Sequence, residues 1–101
     1  MKRHLCLDKC GDDWDWYALR WDNYDRVNGA SIEGDAAEWL SIADSIGHGE
    51  SVSFKRVAFD KQPDGSWLVS SPRNSTRATV LTAEDVAELP AVIRAAVGGG
   101  K

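Results

Sequence analysis

The side chains that bind soft metals are few in this sequence: His4, Cys6, Cys10 and His48 are all its histidines and cysteines. Four such ligands suit zinc, but Cys-x₃-Cys is an uncommon spacing for it, and His48 lies far along the chain beyond a predicted helix. A buried thiol and exposed histidines account for them, and no metal is expected. A Cys6–Cys10 disulfide fits a turn and is disfavoured in a reducing compartment. Asp60-Lys61-Gln62-Pro63-Asp64-Gly65 echoes the opening of a calcium loop, but its twelfth position is Ser71 rather than a bidentate glutamate. A turn between strands explains it. There is no P-loop, G-x-G-x-x-G, G-x-S-x-G or H-E-x-x-H motif, and no histidine is placed to serve as base to a nucleophile. Neighbouring carboxylates such as Asp12 and Asp13 would do acid–base work only in a cleft. The reading is a protein that is not an enzyme, with no catalytic residue and no cofactor.

The unusual chemistry is elsewhere. Trp14, Trp16, Tyr17, Trp21 and Tyr24 concentrate more than half of the nine aromatic residues in one short stretch. Asp8, Asp12, Asp13, Asp15, Asp22 and Asp25 run through the same segment. One explanation is ordinary: Trp16, Leu19 and Trp21 form core, and the aspartates make turns and a solubilising rim. The other is a protein-binding surface, because tryptophan and tyrosine anchor interfaces while aspartates steer a basic partner. Asp12, Asp13, Trp14, Asp15, Trp16, Tyr17, Trp21, Asp22, Tyr24 and Asp25 are the candidate partner-binding residues. The partner would present a basic surface, as a nucleic-acid-binding or nuclease complex does.

The formal charge of −4 is unevenly divided. The acidic excess lies in residues 1–50, and residues 51–81 are locally basic. Lys55, Arg56, Arg73 and Arg77 are therefore the alternative site, for a nucleic-acid-binding or regulatory domain, with the Ser-Pro-Arg-Asn-Ser-Thr-Arg loop at phosphates. No RNP glycines or helix-turn-helix accompany them, and an acidic chain is drawn weakly to a polyanion, so direct nucleic-acid binding is not the leading expectation. A structural subunit of a larger assembly, such as a phage particle, is a third reading.

These residues must be positioned by few elements, since 101 residues bury one core. His4-Leu5-Cys6-Leu7 reads as a strand and Cys10-Gly11-Asp12-Asp13 as a turn. Trp14 to Trp21 reads as the return strand, with Trp14, Trp16 and Ala18 on one face and Asp15, Tyr17, Leu19 and Trp21 on the other. Asn28-Gly29 marks a turn. Ser31 or Asp35 caps a helix whose stripe is Ala36, Trp39, Leu40, Ala43 and Ile46, ended by Gly47 at the C′ position. Val52, Phe54, Val57 and Phe59 alternate in two pairs that are out of phase, which predicts one strand bulged near Lys55-Arg56. Gln62-Pro63-Asp64-Gly65 is a turn, Trp67-Leu68-Val69 a strand, and Arg77 to Leu81 another. Thr82 with Asp85 forms a capping box for a helix striped by Val86, Leu89, Ile93 and Val97, kinked or divided at Pro90.

The expected fold is α+β, in the order β-β-α-β-β-β-α: a mostly antiparallel sheet of about five strands with two helices on one face. One domain spans 1–97, and 98–101 form a flexible glycine-rich tail. No apolar run has the length of a membrane helix, and Asp8 and Lys9 interrupt what would be the apolar region of a leader after the basic Met1-Lys2-Arg3-His4. A cytoplasmic location is expected. The profile of a small, acidic, tryptophan-rich α+β chain without catalytic motifs resembles that of phage-encoded anti-defence inhibitors, such as anti-CRISPR proteins, and of toxin immunity proteins. The resemblance is one of size and composition. It implies an inhibitor that occupies a basic surface and carries no particular residue across.

Overall fold

The computed structural model describes residues 4–10, 15–22, 32–72 and 78–98. Alternation of apolar and polar residues builds the first sheet. Strands β1 (Leu5–Lys9) and β2 (Trp16–Trp21) pair antiparallel, with Leu7 opposite Leu19. The side-chain period of two sends Leu5, Leu7, Tyr17, Leu19 and Trp21 to the buried face, the last three sharing one face of β2 as the alternation predicts. A third strand, β3 (Ile32–Asp35), pairs with the other edge of β2, and Ile32 joins the core.

Asp35 ends β3 and begins α1 (Ala36–Gly47). Its carboxylate accepts from the Glu38 N–H at 2.8 Å, while the Glu38 carboxylate accepts from the Asp35 N–H at 3.0 Å. This reciprocal box satisfies donors that the first turn leaves open. Trp39, Ile42, Ala43 and Ile46 are the buried stripe, and Leu40, expected within it, is exposed. Gly47 is the last helical residue rather than the C′ residue expected. His48 is the C-cap, and Gly49 takes the left-handed conformation at φ 76°. The Gly49 N–H bonds to the Ile46 carbonyl and the Glu50 N–H to that of Ser45. That pattern is a Schellman motif, in which the residue after the cap must tolerate positive φ.

The predicted bulged strand is instead a hairpin. β4 (Val52–Ser53) and β5 (Ala58–Lys61) pair antiparallel, with Val52 opposite Phe59, and the Phe54 N–H closes the turn on the Val57 carbonyl at 2.7 Å. The phase shift between the two apolar pairs marks a reversal of the chain at Lys55-Arg56. β6 (Trp67–Ser70) and β7 (Ala78–Leu81) complete an antiparallel meander in the order β4-β5-β6-β7. Gln62 to Gly65 makes the β5–β6 turn, with Gly65 at φ 91°. Thr82 and Asp85 bond reciprocally to open α2 (Ala83–Gly98), which runs unbroken through Pro90. Gly98 thus belongs to the helix, and the rest of the expected tail lies outside the described residues.

The fold is α+β, as expected, but the single five-stranded sheet is corrected to antiparallel sheets of three and four strands among the described residues. Among the described residues no hydrogen-bonded pairing joins β1–β3 to β4–β7. Burial joins them instead. The inner faces of both sheets and the stripes of both helices form one core cluster, with α1 packed on α2 and α2 on β1.

Candidate functional site

The outward face of the three-stranded sheet carries Cys6, Asp8, Trp16, Ala18, Arg20, Glu33 and Asp35, all partly exposed, because they alternate with the buried set. Register sets their neighbours. Trp16 stands opposite Asp35, and Glu33 is two residues back along β3. A diagonal neighbour of that kind lies within reach of long side chains. The Trp16 indole N–H donates to Glu33 Oε1 at 2.9 Å. On the other side of β2, the Cys10 N–H donates to the Trp16 carbonyl at 2.7 Å, which brings Cys10 beside the tryptophan. Asp8 and Arg20 form an ion pair further along the same face.

The last component comes from the other sheet. Arg56, in the β4–β5 turn, lays its guanidinium over the Trp16 ring, 5.1 Å from the centroid. The indole quadrupole attracts a cation over its face, and an indole whose N–H is bound to a carboxylate is more electron-rich. Asp15 precedes Trp16 in the chain and is exposed; its carbonyl accepts from the Ala36 N–H at 3.1 Å, which holds it against the start of α1. Of the carboxylates on this face, Glu33 touches the indole, Asp35 stands opposite Trp16 in the strand register with its oxygen on the Glu38 N–H, and Asp8 is paired with Arg20.

The Cys10 thiol borders this surface. Burial, and secondarily the Glu33 carboxylate, push it above the ordinary value of 9.0, so it is protonated at neutral pH. Cys6 and Cys10 are free, Cys6 near the start of β1 and Cys10 just past its end. A strand separates residues four apart by about 13 Å, beyond the reach of a disulfide, so the turn geometry expected for that bond is corrected. His4 contacts Glu88 of α2 at 3.1 Å, and His48 bonds to the Asp44 carbonyl at 2.7 Å at the end of α1. Among the described residues no group of His, Cys, Asp and Glu side chains is gathered to hold a metal ion.

The structure therefore divides the candidate partner-binding residues. Asp15, Trp16 and Asp22 reach the surface. Tyr17 and Trp21 do not; their 5% and 8% exposure puts them in the core, because odd-numbered positions of β2 face inward. Asp12, Asp13, Trp14, Tyr24 and Asp25 lie outside the described residues, as do Arg73 and Arg77 of the basic alternative. Of that alternative, Lys55 is exposed and Arg56 is engaged by Trp16, so one residue of each candidate site meets the other. Glu33 escaped the sequence reading because β3 is only four residues long and its apolar alternation is Ile32 and a glycine. A shallow depression of about 290 Å³ on the outer face of the four-stranded sheet is lined by Ser51, Ser53, Asp60, Leu68 and Ser70 among others, with no histidine or cysteine beside its hydroxyls. Among the described residues no helix is long and apolar enough to cross a membrane. No family model, curated protein or solved structure matches the chain.

Proposed function

We propose that this protein is a non-enzymatic binding module, an inhibitor in the manner of anti-defence or immunity proteins, that docks on a basic surface of a protein partner through the outward face of β1–β3. The observation that carries this reading is Trp16: a tryptophan set on the solvent side of a sheet, fixed by the Glu33 carboxylate and standing opposite Asp35. Large aromatics supply most of the contact energy at interfaces, and surrounding carboxylates select a cationic partner and speed its approach. Asp15 and Asp22 flank β2 at its two ends and are exposed. The engagement of Arg56 by Trp16 weighs against a phosphate-binding role for the basic residues.

The test is affinity capture from host lysate, with and without nuclease, using the wild-type chain and Trp16→Ala. A stoichiometric protein that survives nuclease, leaves at high salt and is lost with Trp16→Ala supports the reading. Retention of only nucleic acid, or capture indifferent to Trp16, overturns it.

A further inference from the structure

The Trp16 ring already holds a cation in the free chain, and that cation is not fully served. Arg56 lies over the indole, yet among the described residues its guanidinium forms no ion pair. It comes from a turn closed by the Phe54–Val57 hydrogen bond, and among the described residues it makes no hydrogen bond to Asp15 or Glu33. Asp15, next to Trp16, is exposed, and among the described residues its carboxylate has no side-chain partner. Glu33 presents a carboxylate already aligned at the edge of the ring.

From this geometry, and resting on the docking role above, we infer that the Trp16 face recognises an arginine side chain of the partner, and that Arg56 is its built-in occupant, displaced on binding. A guanidinium is the ligand class because its planar, weakly hydrated group stacks on an indole while its edge donates paired hydrogen bonds to a carboxylate. An ammonium cannot do both. Arg56 makes the stacking contact alone. An incoming arginine, free of the turn, makes that contact and also reaches Asp15 or Glu33. The difference between one interaction and two drives the exchange, and only a differential of this kind shifts an occupancy. In the free chain Arg56 keeps the exposed ring covered and reduces apparent affinity by the fraction of molecules in which it is in place.

The experiment is fluorescence anisotropy of two labelled peptides of equal length, oligoarginine and oligolysine, titrated with the full chain. Oligoarginine is expected to bind more tightly than oligolysine. Arg56→Ala should tighten oligoarginine about two- to fivefold, the equivalent of one exposed cation–indole contact. Trp16→Ala should erase the preference between the peptides. Trp16→Phe, which keeps an aromatic ring on the outward face, serves where the alanine variant is poorly folded by circular dichroism, and should reduce the preference. Equal binding of the two peptides, or an Arg56→Ala variant that binds unchanged or more weakly, overturns the inference. If Asp15→Asn weakens both peptides equally while the Arg56 and Trp16 variants do nothing, docking is by charge alone: the arginine site is wrong and the acidic docking surface stands. If neither peptide binds any variant, the arginine site is again wrong, and the lysate capture decides the wider reading by itself.

Discussion

Trp39 meets Phe59 edge to face, with ring centroids 6.4 Å apart and planes inclined by 77°. Trp39 belongs to α1, and its indole N–H donates to the Tyr17 carbonyl of β2 at 3.0 Å; Phe59 belongs to β5. One side chain therefore connects the three-stranded sheet, through its polar end, to the four-stranded sheet, through its ring. Both residues are fully buried. The spatial relation of Arg56 to Trp16 depends on this junction, because those residues also come from the two sheets.

Phe59→Ala should accordingly cost about 3–5 kcal/mol, the range for truncating a buried aromatic, which is a large part of the stability of a domain this size. Trp39→Phe keeps much of the apolar contact and leaves the Tyr17 carbonyl without its donor, at a cost of about 1–3 kcal/mol. Urea unfolding followed by circular dichroism checks both. A near-neutral Phe59→Ala would mean that the sheets are held together elsewhere.

The capping box at α1 gives a second expectation. Asp35→Ala should destabilise by about 0.5–2 kcal/mol, whereas Asp35→Asn, whose amide oxygen still accepts from the Glu38 N–H, should stay within a few tenths. The same pair of variants separates stability from docking. Asn removes a charge from the row opposite Trp16 while keeping the cap, so it should weaken a basic partner without lowering the unfolding midpoint.

The elements that could be read from the sequence were those with long periodic patterns or strong end signals. The inward face of β2 follows from Tyr17, Leu19 and Trp21, and the start of α2 from Thr82 and Asp85. Short elements were not legible. β3 has four residues, and its glycine carries no apolar side chain to mark the inward position; Gly34 is buried where an added Cβ would come within 3.2 Å of Glu38 Oε1. The β4–β5 reversal has no glycine, asparagine or proline between Phe54 and Val57, so only the shift in phase announced it, and a bulge has the same signature. The site suffered most from this. Trp16 was visible as a candidate, but its partners Glu33 and Arg56 lie on the two elements that local pattern misses. Their approach is a consequence of tertiary packing.

Cys10 offers a pH-dependent prediction. Its thiol is held above 9.0 in the folded chain, so the folded state keeps that proton more tightly than the unfolded state. The resulting contribution to stability is present below the ordinary value of 9.0 and is lost as pH rises through the folded value. In a Cys6→Ser variant, which leaves one thiol, the rate of alkylation by iodoacetamide should rise with an inflection above 9.0. Glu33→Gln should move that inflection down only part of the way, because burial is the larger cause. A full return to 9.0 would assign the shift to Glu33 instead.

Gly47 and Gly49 should respond to alanine with opposite signs. Gly47 is helical, and a Cβ there would meet Pro90 Cγ of α2 at 3.8 Å, an ordinary contact. Gly47→Ala removes the conformational freedom of glycine from the unfolded chain and adds apolar contact between the helices, so it should stabilise by up to about 1 kcal/mol. Gly49 has φ 76°, and its nearest obstacle is the Lys61 Nζ at 3.4 Å, the mobile end of a long side chain. The cost of Gly49→Ala is therefore conformational, about 1–2 kcal/mol for forcing a Cβ into the left-handed region. Gly49→Asn should recover part of it, since asparagine tolerates that conformation. Thermal unfolding of the three variants tests the assignment of Gly49 as the C′ residue. Equal losses at both glycines would mean that Gly47, not Gly49, takes the C′ position, and the Schellman hydrogen bonds of Gly49 and Glu50 would then have no role in stopping the helix.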